Sequence, residues 1–227
     1  FANYAFQTEG DNGFVIVGKS WSADGSTGFD VKLIRLVYDA DGALSSSAAD
    51  GSDTGEDADG GFNLTKSVTA EALANDEGLS VQRTNSLGFV VVGNTYSEGS
   101  DESNIFIWKV NSAGVDVGNI QTIGIGNNDK AYCIRQTAGD NGFIVVGSSY
   151  SSTTQDNVWV ARFDNNLSTL WSYTYGGDNQ DVGTKVALTS DGGYIVTGYT
   201  RSFDDDGDND SNILLMKIDG YGAIETK

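Results

Sequence analysis

Short apolar runs bracketed by glycine recur along the chain: Gly13-Phe14-Val15-Ile16-Val17-Gly18, Gly88-Phe89-Val90-Val91-Val92-Gly93, Gly142-Phe143-Ile144-Val145-Val146-Gly147 and Gly193-Tyr194-Ile195-Val196-Thr197-Gly198. Runs this short, rich in β-branched and aromatic residues, predict strands. They lack polar alternation, which predicts burial on both faces, as between stacked sheets. Ahead of each lies another strand pattern closed by threonine: Ala2 to Thr8, Gly78 to Thr84, Ala131 to Thr137 and Gly183 to Thr189. The links between them are Gly10-Asp11-Asn12-Gly13, Asn85-Ser86-Leu87-Gly88, Gly139-Asp140-Asn141-Gly142 and Ser190-Asp191-Gly192-Gly193. Asn-Gly and Gly-Gly supply the positive φ of short hairpins, so first and second strands are expected to be antiparallel neighbours.

A third strand pattern follows, with Asp or Asn, an apolar stretch and a base: Asp30 to Leu36, Asn104 to Val110, Asn157 to Phe163 and Asn212 to Ile218. The bases Arg35, Lys109, Arg162 and Lys217 recur in register and read as side chains whose stems cover apolar surface while the charge stays in water. Fourth strands are expected near Phe62, over Asn119 to Ile123 and over Leu170 to Tyr175. Successive units open on Asp76, Asp129 and Asp181, giving repeats of about 1–75, 76–128, 129–180 and 181–227, with an inserted polar loop over about 45–61. Four strands at a period of about 50 residues fit a propeller blade, whereas a parallel β-helix uses shorter coils and a sandwich does not repeat so regularly. The expectation is therefore an all-β chain, a β-propeller of four-stranded antiparallel blades with four repeats visible, as a single domain or a segment of a larger one. Unit one lacks its opening aspartate, and Ile224-Glu225-Thr226-Lys227 falls where a last fourth strand should begin, which raises the expectation of a longer parent.

The string Trp171-Ser172-Tyr173-Thr174-Tyr175-Gly176-Gly177, then Asp181, Thr189, Asp191-Gly192-Gly193-Tyr194-Ile195-Val196 and Gly198-Tyr199-Thr200, resembles the blade repeats of secreted and surface propeller proteins of Bacteroidota and other environmental bacteria. The resemblance covers all four units and is strongest in the last two. It implies an extracellular or cell-surface β-propeller, commonly a module of a larger protein, and implies no shared catalytic residues. Kelch repeats are a looser likeness. A propeller hosts many unrelated functions, so fold alone does not choose among them.

Composition narrows the field. Thirty glycines and no proline suit many turns and strands with almost no helix. A formal charge of -19 without a cluster of bases disfavours nucleic acid and anionic lipid, both polyanions. The absence of histidine removes Ser-His-Asp, Cys-His and most zinc chemistry. The single cysteine, Cys133, lies in an apolar strand pattern and reads as a buried thiol rather than a nucleophile. No apolar run is long enough to span a membrane.

In a propeller the loops after the second and fourth strands share one face, and here they hold Asp24, Asp30, Glu98, Asp101, Glu102, Asp129, Asp156, Asp178, Asp181 and Asp204 to Asp210. The sharpest cluster alternates carboxylates at Asp204, Asp206, Asp208 and Asp210, which can aim several hard oxygens at one calcium ion. It is not an EF-hand loop, because the glycine is misplaced and the closing glutamate is missing; a solvated acidic loop is the competing reading. The repeated Asp129 and Asp181 read instead as structural, accepting hydrogen bonds in turns. Trp21, Tyr96, Tyr150 and Tyr199 follow the second strands, and their recurrence favours packing at a rim over stacking on sugars. Two functions remain: a non-enzymatic binding or scaffold module meeting a protein or glycan partner, with calcium on its acidic loops, or a carbohydrate-active enzyme using paired loop carboxylates.

Overall fold

A computed structural model describes residues 1–7, 14–21, 29–38, 44–45, 63–66, 75–96, 102–112, 115–203 and 210–225; at 20, 21, 30, 36–38, 44–45 and 63–66 the backbone alone is described. The described residues form antiparallel strands and no helix. Two compact units result, Phe1–Asp101 with Phe106–Gln121, and Glu102–Ile105 with Thr122–Lys227.

The first sheet runs β1 (Ala2–Gln7), β2 (Phe14–Trp21), β3 (Phe29–Tyr38), with β4 (Leu44–Ser45) and β5 (Asn63–Lys66) both pairing β3. The second follows the order β6 (Asn75–Arg83), β7 (Phe89–Tyr96), β8 (Ser103–Val110), β9 (Gln121–Ile123). The third follows β10 (Asn127–Gln136), β11 (Phe143–Ser151), β12 (Gln155–Phe163), β13 (Thr169–Tyr175). The fourth has β14 (Asp181–Leu188), β15 (Tyr194–Thr200) and β16 (Asn212–Ile218). The all-β class and the repeated hairpin order are thus as expected, and β5 supplies the strand anticipated near Phe62. The polar loop over about 45–61 lies outside the described residues, apart from the backbone of Ser45.

One irregularity explains why a glycine closes every second-strand motif. Each first strand carries a bulge at the same place, between Ala2 and Tyr4, Gly78 and Ser80, Ala131 and Cys133, and Gly183 and Lys185. The residues opposite are Gly18, Gly93, Gly147 and Gly198. A Cβ at any of them would overlap a carbonyl oxygen of the bulged strand, that of Phe1, Glu77, Lys130 and Val182 respectively. Close approach of two backbones, rather than turn formation, demands glycine there.

Each unit builds its core in the same way. In the first, Val15, Val17, Val31 and Leu33 of one sheet pack with Val81, Phe89, Val91, Phe106 and Trp108 of the next. In the second, Ile144, Val146, Val158 and Val160 pack with Val186, Tyr194, Val196, Met216 and Ile218. These are matching positions of the repeat. The first strand of the later sheet crosses the second and third strands of the earlier one, and glycine is what lets it seat. The Cβ direction of Gly78 points within 2.5 and 3.0 Å of Val17 and Val31 methyls, and that of Gly183 within 2.6 and 2.9 Å of Val146 and Val158 methyls. Cys133 is buried in the second core, as expected of an inert thiol.

The hairpin turns share a scaffold as well. The amide of Thr84, Thr137 or Thr189 donates to the carbonyl of Gly88, Gly142 or Gly193. The residue before that glycine is left-handed in all three: Leu87 at φ 66°, Asn141 at 55° and Gly192 at 85°. Asparagine and glycine accept this region readily, but for leucine it costs about 1–2 kcal/mol.

The strand starts required a correction. The first strands of the later repeats begin earlier than Gly78, Ala131 and Gly183, so Asp76 and Asp129 fall inside strands and Asp181 opens one. All three are buried.

Candidate functional site

Of the carboxylates expected to hold calcium, Asp204, Asp206 and Asp208 lie outside the described residues; Asp210 is described and exposed. Among the described residues no three or more Asp, Glu, Cys or His gather at metal-binding distance. Asp24, Glu98 and Asp101 also lie outside them, and the side chain of Asp30 is not described.

Asp129 and Asp181 do not belong to an exposed acidic face. The Asp129 carboxylate accepts from the amides of Ile125 (2.6 Å) and Gly126 (3.1 Å). Asp181 accepts from the amide of Gly177 (2.8 Å), from Ser202 Oγ (2.7 Å) and from Thr200 Oγ1. Buried carboxylates persist where donors replace water, and here each gathers the loop leading into its strand. Asp156 is likewise engaged, accepting from Gln180 Nε2 at 2.8 Å. Tyr150 is 36% exposed, Tyr96 and Tyr199 are half-buried, and the Trp21 side chain is not described.

One of the repeated bases departs from expectation. Arg162 does not keep its charge in water: it is 6% exposed. Its guanidinium donates to Tyr194 Oη (3.1 Å), to the Phe143 carbonyl (3.3 Å), to the Phe163 carbonyl and to Asp140. Lys217 contacts Asp191 at 3.0 Å and Glu225 at 3.2 Å. In both cases the third-strand base holds the aspartate of the first hairpin turn. The turn glycine makes room for it, since a Cβ at Gly142 would strike the Arg162 guanidinium and one at Gly193 the Lys217 ammonium. The Asp140 carboxylate and the carbonyl and phenol oxygens around the guanidinium replace part of the hydration that the arginine loses on burial.

These turns border a groove of about 730 Å³ within the second unit. Asp140, Asp191, Leu170, Trp171 and Tyr221 are among the residues that line it. Trp171 stacks on Tyr173 with centroids 5.6 Å apart and planes at 24°, and meets Tyr194 edge-on at 6.3 Å. Its indole Nε1 donates to the Gly220 carbonyl at 3.1 Å, fixing the ring. Tyr175 continues the aromatic row and donates to the Gly222 carbonyl at 2.6 Å. Burial pushes the Tyr175 hydroxyl up to about 12, so it stays a donor. Tyr221 is 83% and Leu170 56% exposed, which leaves apolar surface open beside fixed carboxylates.

The carboxylates are held ionised. At Asp140 burial raises the carboxyl, but Thr137, the Gly142 amide and the Arg162 guanidinium outweigh it and hold it below the usual 3.8. At Asp191 the Thr189 hydroxyl, then the Gly193 amide and Lys217, hold it well below that value. A folded-state value beneath the unfolded one contributes stability at pH above the unfolded value, and that contribution fades as pH falls through the folded value. Melting temperature is therefore expected to drop between about pH 5 and pH 2, and to drop less steeply in Asp191→Asn, which has no carboxyl to protonate. Parallel slopes for parent and variant would show that this turn is not a source of acid sensitivity.

No family model matches this chain, and a search of curated proteins finds no match to it.

Proposed function

We propose that the chain is a non-enzymatic extracellular or cell-surface binding module built from β-propeller blades, and that its groove takes a hydroxyl-rich ligand, a glycan. The propeller reading is supported by the recurrent seating of a first-strand glycine on a valine pair of the preceding sheet, which stacks sheets face to face within each unit. The binding reading rests on one observation: the groove sets exposed aromatic and apolar surface beside carboxylates already occupied by turn donors and bases. Aromatic faces stack on sugar C–H surfaces, and fixed ionised carboxylates accept from sugar hydroxyls. A glycosidase acid must instead carry a proton near neutral pH, which requires a raised carboxyl. Asp140 and Asp191 are shifted the opposite way.

A glycan array run beside a hydrolysis screen tests this. Binding without turnover is expected, with at least a tenfold loss in Tyr221→Ala, a change that leaves the melt intact because the side chain is 83% exposed. Release of sugar would establish the enzymatic alternative. Binding indifferent to Tyr221→Ala, or no binding, would remove the groove as the site.

A further inference from the structure

Asp140, Asp191 and Asp219 all line the groove, and Arg162 is the one base among its lining residues. Arg162 is spent on Asp140, and the neighbouring Lys217 on Asp191 and Glu225. Asp219 forms no ion pair among the described residues. Its Oδ1 accepts from the amides of Tyr221 (2.8 Å) and Ala223 (2.9 Å), which holds the half-buried carboxylate at the turn that follows β16. Its Oδ2 accepts from no group among the described residues.

The turn itself is a repeated device. Asp164 has the same place after β12, and its Oδ1 accepts from the amides of Asn166 and Ser168, both at 2.8 Å. What is particular to Asp219 is its surroundings, since the carbonyl of the next residue, Gly220, fixes the Trp171 indole and Tyr221 presents an exposed ring. A carboxylate without a counter-ion beside aromatic surface favours a cation. An ammonium donates charge-assisted hydrogen bonds to it, and an aromatic face attracts the same charge. A sugar acid would instead meet Asp219 as a like charge, on a chain whose net charge is -19.

We propose that the glycan taken by the groove carries an amine, its ammonium on Asp219 Oδ2 and its sugar face on Trp171 and Tyr221. This rests on the glycan reading of the groove and names the class of sugar within it.

Calorimetric titration of the full chain with a glucosamine tetramer, and with glucose and glucuronate tetramers of the same linkage, tests this. The glucosamine tetramer is expected to bind about tenfold more tightly than the glucose one, the gain of a charge-assisted hydrogen bond over a neutral one. The glucuronate tetramer is expected to bind most weakly. Asp219→Asn keeps an oxygen that accepts from the Tyr221 and Ala223 amides, and is expected to bring the glucosamine tetramer down to the glucose value. Asp164→Asn removes the same charge from the matching turn, away from the lining residues, and is expected to preserve the ratio. A ratio lost in both variants would trace the preference to net charge and overturn the proposal. Equal binding of the glucosamine and glucose tetramers would overturn it while the glycan reading stands. Binding by none of the three would overturn it as well, and a blank glycan array beside that result would remove the glycan reading too. An oligolysine peptide bound more tightly than the glucosamine tetramer would assign the groove to a protein partner instead.

Discussion

Val146→Asp is expected to unfold the second unit. Val146 is fully buried at the centre of that unit's seam, beneath Gly183 and among Ile144, Val160 and Val196. An ionised carboxylate placed there finds no base to pair with in the apolar cluster, and an uncompensated buried charge costs roughly 3–5 kcal/mol. That is a large share of the 5–15 kcal/mol or so that typically holds a domain together. The measurement is a urea titration followed by circular dichroism, with Val115→Asp as the control, since Val115 is 61% exposed. Equal midpoints for the two variants would contradict the seam assignment.

Gly147→Ala is expected to cost roughly 3 kcal/mol, the upper end of overpacking effects, although it adds one methyl group. That methyl would overlap the Lys130 carbonyl, and relief requires the bulge at Ala131 to open, with loss of the register linking β10 to β11. The comparison that isolates the cause is Gly139→Ala. Gly139 has φ +94° and open space around its Cβ direction, so alanine there incurs backbone strain alone, about 1–2 kcal/mol. Equal losses in the two variants would mean that the close approach of β10 and β11 is not what fixes glycine at 147.

The contrast between these glycines marks how far the sequence could be read. Runs such as Phe143-Ile144-Val145-Val146 declare strands, and the Asp140-Asn141-Gly142 turn declares its hairpin, because both depend on neighbours in the chain. The bulge opposite Gly147 has no local signature: Gly147 recurs across repeats, but its reason lies in a backbone on another strand. Arg162 departs from its sequence pattern for the same cause. Its partners Asp140 and Tyr194 lie 22 and 32 residues away, and a base in a strand ordinarily reaches water. Asp129 and Asp181 were recognised as structural, yet their burial depended on strands starting before the apolar pattern does. The groove has no local signature either, because Trp171, which lines it, stands in the sequence only as part of a repeat signature. The alternating carboxylates Asp204, Asp206 and Asp208 rest on the sequence alone, lying outside the described residues.

The hairpin order of the strands also governs how the chain reaches its structure. Within each sheet nearly every pairing joins strands adjacent in sequence, as β10 with β11, β11 with β12 and β12 with β13. The entropy lost in closing such short loops is small, and local connectivity speeds folding relative to all-β architectures with distant partners. The seam that buries residues such as Ile144 and Val146 instead joins one sheet to the next, so its contacts close longer stretches of chain. The first sheet is slower in one respect, since β5 must find β3 across the intervening segment. Contacts of longer range cost more loop-closure entropy and slow folding, and a chain whose apolar faces wait on them is the more open to aggregation.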